Sequence, residues 1–200
     1  MRPTTSDHNL ELINGCKSGN IEAVGRALDS GADVNFVFRQ EGEIEGLVLC
    51  PLVIVCKNAC TDIVELLLTR EDIKINLNDD MMDAPIVYAV KNGNIEIADI
   101  LLKKGADIDI KRWDDSSESP LLEAAKANNE DMFKFLVNKG ADLDYAMKQK
   151  DKFPIGVEMK DEITRAYEVA KFVKEQNRRS GTQIKSVLQL LYDASLGRKR

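Results

Sequence analysis

The stretch from Asp83 to Ile110 cannot fold alone, and that fact constrains the rest of the chain. It is an apolar run opened by Pro85, then a break at Gly93 and Asn94, then a second run with Ile97, Ile100, Leu101 and Ile108 as its apolar positions. Gly105 stands where a left-handed helix stop belongs. Proline suits the first helical turn, because no backbone donor is needed there. The spacing predicts a helix, a tight turn, a second helix, a glycine stop and an extended arm. An isolated helix needs roughly 12–15 residues to be even marginally stable in water, and neither run reaches that length. Such a unit must bury its apolar face against copies of itself.

The copies are present. Ser119 to Lys126 aligns with Ala84 to Lys91, and Leu136 to Asp144 aligns with Leu101 to Asp109. Upstream, Cys50 to Lys57 repeats the opening, followed by Ile63 to Leu68 and by Ile75-Asn76. Gly15 to Asn20 and Gly31 to Asn35 repeat the turn and the stop. The anchor positions Gly15, Val55, Ala89 and Ala124 are 40, 34 and 35 residues apart. A period near 33 residues, Pro-Leu openings and Gly-Ala-Asp-hydrophobic-Asn/Asp endings resemble the ankyrin repeat. The resemblance implies an all-α solenoid of stacked helix-turn-helix units with β-hairpin fingers. The family's usual Thr-Pro-Leu-His opening is altered here. Cys50, Ala84 and Ser119 stand at the Thr position, and Val53, Val87 and Leu122 at the His position. Apolar packing is therefore expected where the family uses polar staples.

The predicted organisation follows from this alignment. Residues 1–8 are expected to be disordered, and Asp7 or Asn9 would cap a first helix over about Leu10 to Lys17. Residues 9–144 form four repeats, at about 9–40, 46–79, 80–113 and 115–148 with overlapping fingers. Residues 145–200 form a divergent capping repeat and basic tail. Within it, Pro154 and Gly156 would mark a longer finger, Arg165 to Lys171 a degenerate opening, Glu175 to Thr182 a turn, and Ile184 to Leu191 a last helix. Arg70-Glu71-Asp72 replaces the glycine stop of the second unit.

Charge is unevenly spread. Residues 1–144 carry 15 Lys+Arg against 27 Asp+Glu, a net −12, whereas residues 145–200 carry 13 against 7, a net +6. An acidic array disfavours direct nucleic-acid binding. No apolar run approaches the roughly 20 residues needed to span a bilayer, and no apolar stretch follows the N-terminus as a signal peptide would require. Of the cysteines at 16, 50, 56 and 60, three occupy positions where the repeat wants a small buried residue or a cap, and the four lack the companions of a metal site. They read as reduced, structural thiols of a reducing cytoplasmic compartment. The single histidine, His8, lies outside the array, so no Ser-His or Cys-His pair is available. Neither a catalytic centre nor a cofactor or metal site is expected.

Members of the ankyrin family bind other proteins through finger tips and the exposed side of the first helix. Carried over by position, the resemblance implies a partner-binding rim of Glu41, Glu43, Glu45, Asp79, Asp80, Met81, Met82, Asp83, Trp113, Asp114 and Asp115. Trp is a favoured hot-spot residue, and this one sits at a finger tip. A second candidate surface is a ladder of lysines, Lys17, Lys57, Lys91, Lys126 and Lys171, near the C-termini of the first helices, where the helix dipole favours a cation. The expected function is a monomeric, non-enzymatic protein-interaction module. Its partner would be an intracellular protein with a basic, partly apolar surface, and neither a membrane nor a nucleic acid would be bound directly. The alternative is a nuclear, chromatin-associated regulator with Arg178-Arg179 and Arg198-Lys199-Arg200 as its targeting signal.

Overall fold

The computed structural model describes residues 5–39, 48–78, 83–111 and 118–180. The chain divides into two compact units, Met1–Ser117 and Glu118–Arg200. In the first unit three helix pairs follow one another: α1 (Thr5–Ser18) with α2 (Ile21–Asp29), α3 (Pro51–Lys57) with α4 (Thr61–Leu67), and α5 (Pro85–Lys91) with α6 (Ile95–Lys103). First helices pack on first helices, α1 on α3 and α3 on α5. Second helices pack on second helices, α2 on α4 and α4 on α6. The two layers bury different amounts of each helix. Leu52 to Cys56 in α3 and Ile86 to Val90 in α5 are buried without interruption, which is why these segments are apolar all round. The second helices bury one stripe only, such as Ile97, Ala98 and Leu101 in α6.

The turn inside each pair has one geometry. The residue two positions after the ladder lysine has a positive φ: +68° at Gly19, +57° at Ala59, +67° at Gly93 and +53° at Asn128. The next residue caps the second helix. The side chains of Asn20, Asn94 and Asn129 accept from the N–H groups of Ala23, Ile97 and Met132. The second repeat departs at both points, with Ala59 in the left-handed region and Cys60 making no side-chain cap. Gly15 replaces the small anchor residue of the other repeats because a Cβ there would lie 2.9 Å from Val24 Cγ2.

Asparagines tie neighbouring repeats together. Asn92 donates to the carbonyls of Cys56 and Lys57 at 3.1 and 3.0 Å, and Asn58 donates to Lys17 at 3.5 Å. In the arms, Asn35 accepts from Lys74 N–H at 2.7 Å and donates to the Asp72 carbonyl at 2.9 Å, while Asn76 accepts from Asp107 N–H at 3.0 Å. Arg70, standing where a glycine stop is expected, reaches back to Asp29 at 3.1 Å. The base of the first finger is a two-residue antiparallel pairing, β1 (Phe38–Arg39) with β2 (Val48–Leu49). The rest of that finger, residues 40–47, and the finger segments 79–82 and 112–117 lie outside the described residues.

The N-terminus differs from expectation. Helix α1 starts at Thr5, so Asp7 and Asn9 lie inside it and neither is its cap. Asp7 falls in the first turn, where the helix dipole favours an anion. Asn9 is buried and accepts from Asp33 N–H at 2.7 Å, which fixes the arm after α2.

The second unit contains α7 (Pro120–Lys126), α8 (Glu130–Lys139), α9 (Leu143–Gln149) and α10 (Val157–Ser180), with α7 packed on α8 and α9 on α10. Here the structure corrects the sequence reading twice. An arm and a long finger were expected after Gly140, but α9 forms instead. Asp33 and Asp107 each accept from the N–H two residues on, which sustains an extended arm. Asp142 accepts from Tyr145, three residues on, at 2.9 Å, and so caps a helix. The second correction concerns residues 175–180, expected as a turn. They continue α10, because no glycine or proline interrupts the chain between Val157 and Ser180. The helix expected over Ile184 to Leu191 lies outside the described residues.

Candidate partner-binding surface

Most of the predicted rim lies outside the described residues: Glu43 with Glu41 and Glu45, then Asp79, Asp80, Met81 and Met82, then Trp113, Asp114 and Asp115. Asp83 is described, and it is not a rim residue. Its side chain is 3% exposed and pairs with Lys91 Nζ at 2.5 Å. The same pairing recurs in the next repeat, where Lys126 Nζ meets Glu118 at 2.6 Å and Glu123 at 3.1 Å. In both repeats the first carboxylate stands eight residues before the lysine. That offset places it just before the opening proline, where the chain enters the first helix. An ammonium at the far end of the helix neutralises it, and the ladder lysine becomes an internal strut.

The rungs of the ladder are therefore unequal. Lys91 and Lys126 are committed to buried carboxylates. At the two earlier rungs the residue eight positions before is Asn9 for Lys17 and Leu49 for Lys57. These two lysines are exposed and sit over aromatic rings, Lys17 at 5.1 Å from the Phe38 centroid and Lys57 at 5.7 Å from Tyr88. Lys91 shares the Tyr88 ring at 5.8 Å, and Lys126 lies 5.9 Å from Phe153. Burial alone would lower the pKa of Lys126, but hydrogen bonds to Glu118 and Glu123 outweigh it and raise the pKa above the ordinary lysine value. Lys171, the expected fifth rung, lies within α10 rather than at a helix end, so no terminal dipole acts on it.

The strut was visible in the sequence as a carboxylate at a fixed offset in two successive repeats. The signal is masked because Asp83 also reads as the last residue of an acidic finger. The altered family positions behave as expected: Val53, Val87 and Leu122 are buried. Of Cys50, Ala84 and Ser119, only Ser119 caps its helix through the side chain.

All four cysteines are free; Cys16, Cys50 and Cys56 are buried and Cys60 is half-buried. Burial pushes the Cys16 thiol up to about 12, with smaller contributions from Cys60 and Cys50, and raises Cys56 as well. Such thiols have little thiolate to offer as nucleophiles. Among the described residues, no group of three or more His, Cys, Asp and Glu side chains is placed to hold a metal ion, and no helix is long and apolar enough to cross a membrane.

The chain belongs to the ankyrin-repeat family: the family model described as ankyrin repeats (3 copies) matches residues 12–112 and again 52–147. Its fold is the all-α repeat class of that family. Ankyrin repeats are generally protein–protein interaction modules, and the family is typically non-enzymatic. A search of curated proteins finds no match.

Proposed function

We propose that this chain is a non-enzymatic module that captures a protein partner through its finger loops and the exposed face of its first helices. The observation that carries this reading is how the polar side chains of the repeats are used. Asn35, Asn76 and Asn92 join one repeat to the next, and Asp83 and Glu118 anchor the entries to α5 and α7. The repeat interior is thereby spent on holding the array together, and recognition falls to residues outside it. The rim of Glu43, Asp79, Asp80, Met81, Met82, Trp113, Asp114 and Asp115 joins carboxylates to thioether and indole groups. That chemistry suits a basic, partly apolar protein surface, where charge speeds association and aromatic burial slows dissociation. Lys57 is an exposed cation, while Lys91 and Lys126 act mainly as struts. Affinity capture from a cell extract with wild-type bait and with a Trp113→Ala, Asp114→Asn, Asp115→Asn bait tests the reading. A partner retained by the first and lost by the second is expected. A partner retained equally by both would remove the rim from the function.

A further inference from the structure

One row of α10 changes character along its length. Glu158, Glu162, Arg165, Val169 and Phe172 follow at steps of four, three, four and three residues, which places them on one helical face. The later end is apolar and open: Phe172 is 60% exposed and Val169 half-buried. The earlier end lines an acidic cavity of about 300 Å³ against the start of α8. That cavity sets Glu130, Glu158, Asp161 and Glu162 against a single cation, Arg165. Glu130 pairs with Lys134 and Glu162 with Arg165. Glu158 and Asp161 are left exposed and without an ion pair among the described residues.

A complement to this row follows in the chain itself. Helix α10 ends at Ser180, and Gly181-Thr182 come next. The first repeat uses the same order: α1 ends at Ser18, Gly19 turns with φ +68°, and Asn20 caps α2. Glycine suits such a turn, and threonine is among the preferred caps. Beyond them, Ile184, Leu188, Leu191, Ser195 and Arg198 again follow at steps of four, three, four and three residues. This second row is apolar first and basic last, the order that matches α10 when the two run antiparallel.

We propose that residues 183–200 fold back on α10 as an internal latch, with Leu188 and Leu191 covering Phe172 and Val169, and Arg198, Lys199 and Arg200 neutralising Glu158 and Asp161. A reversal at Ser180 pairs residues symmetrically about that position: Leu188 with Phe172, Leu191 with Val169 and Arg198 with Glu162. Charge favours this occupant, because residues 181–200 carry four Lys/Arg against one Asp, opposite in sign to the cavity. A basic amphipathic segment of another molecule has the same chemistry, but a tethered segment acts at an effective concentration on the order of a millimolar. The basic run read above as a targeting signal is then an internal contact.

Hydrogen–deuterium exchange of the full chain, read by mass spectrometry, tests the latch. The amides of residues 184–191 should be protected in the wild type at every protein concentration. Phe172→Asp should speed their exchange about tenfold, since it removes the apolar contact. Arg198→Glu/Lys199→Glu/Arg200→Glu should speed it about fivefold, the scale of lost exposed ion pairs, and adding Glu158→Lys/Asp161→Lys should restore protection. Exchange in α7 and α8 should stay unchanged in Phe172→Asp, which separates loss of the latch from loss of the fold. Absence of protection in the wild type, or equal exchange in the wild type and both single-site groups of variants, would overturn the proposal. So would failure of the combined charge reversal to restore protection. Protection that disappears on dilution would overturn it too, by assigning the face to a second copy of the chain.

Discussion

Replacing Lys91 by Met tests whether a ladder lysine is a strut or a surface charge. The Asp83 side chain is 3% exposed and that of Lys91 is 35% exposed, with the two charges 2.5 Å apart. Removing one partner of a fully buried pair costs about 3–5 kcal/mol, because the other charge stays in a poor solvent without its counter-charge. Water reaches Lys91, so the lower figure of about 2–3 kcal/mol applies here. For a chain of this length each kcal/mol moves the melting temperature by about 2–4 °C, which gives a fall of about 4–12 °C. Lys57→Met is the internal control: it removes the same rung where Leu49 replaces the carboxylate. Among the described residues its contact with the Tyr88 ring is what is lost, worth about 0.5 kcal/mol at an exposed site. Asp83→Leu/Lys91→Met should recover most of the loss, since apolar isosteres often replace a buried pair without penalty. Urea unfolding followed by far-UV circular dichroism measures all three. Equal stability of Lys91→Met and Lys57→Met would refute the strut.

Three further outcomes follow from the same geometry. The stability advantage of wild type over Lys126→Met should be fully present below the ordinary lysine pKa of 10.5 and vanish as pH rises through the raised folded value, because only the protonated amine holds Glu118 and Glu123; denaturant titrations from neutral to strongly alkaline pH check this. Alkylation with iodoacetamide followed by mass spectrometry should mark Cys60 first in the native protein and leave Cys16 and Cys56 protected until it unfolds; early labelling of Cys16 would contradict its burial and raised pKa. Ala59→Gly should stabilise by about 1 kcal/mol by relieving a left-handed alanine, and Cys60→Asn by about as much again by supplying the cap its sister repeats have, both read as a rise in urea midpoint.

The repeat was legible because its signals are local. Proline openings, the asparagines that cap α2, α6 and α8 and the glycine stops act within a few residues, and four copies in register reinforce one another. What escaped the sequence depended on competition between local options. Asp33, Asp107 and Asp142 occupy one position of the repeat, yet two support an extended arm and one caps α9. An Asp side chain serves either geometry, and the residues around it decide. The length of α10 was missed for a related reason: Asn177 to Ser180 is polar enough to suggest a turn, but contains nothing that breaks a helix. The strut is a relation across eight residues and a whole helix that recurs in only two repeats, so it shows only when those repeats are laid side by side. Position in the family pattern places Asp83 on the rim, whereas its pairing with Lys91 decides its burial.

Binding kinetics against one purified, captured partner test the central reading most directly. With the acidic rim as the working surface, Trp113→Ala weakens affinity by about 2 kcal/mol or more. Changing Asp79, Asp80, Asp114 and Asp115 to Asn slows association and flattens its salt dependence. Lys57→Ala leaves both rate constants nearly unchanged. Loss of binding in Lys57→Ala, with the finger variants binding like the wild type, would contradict the account and place recognition on the lysines instead.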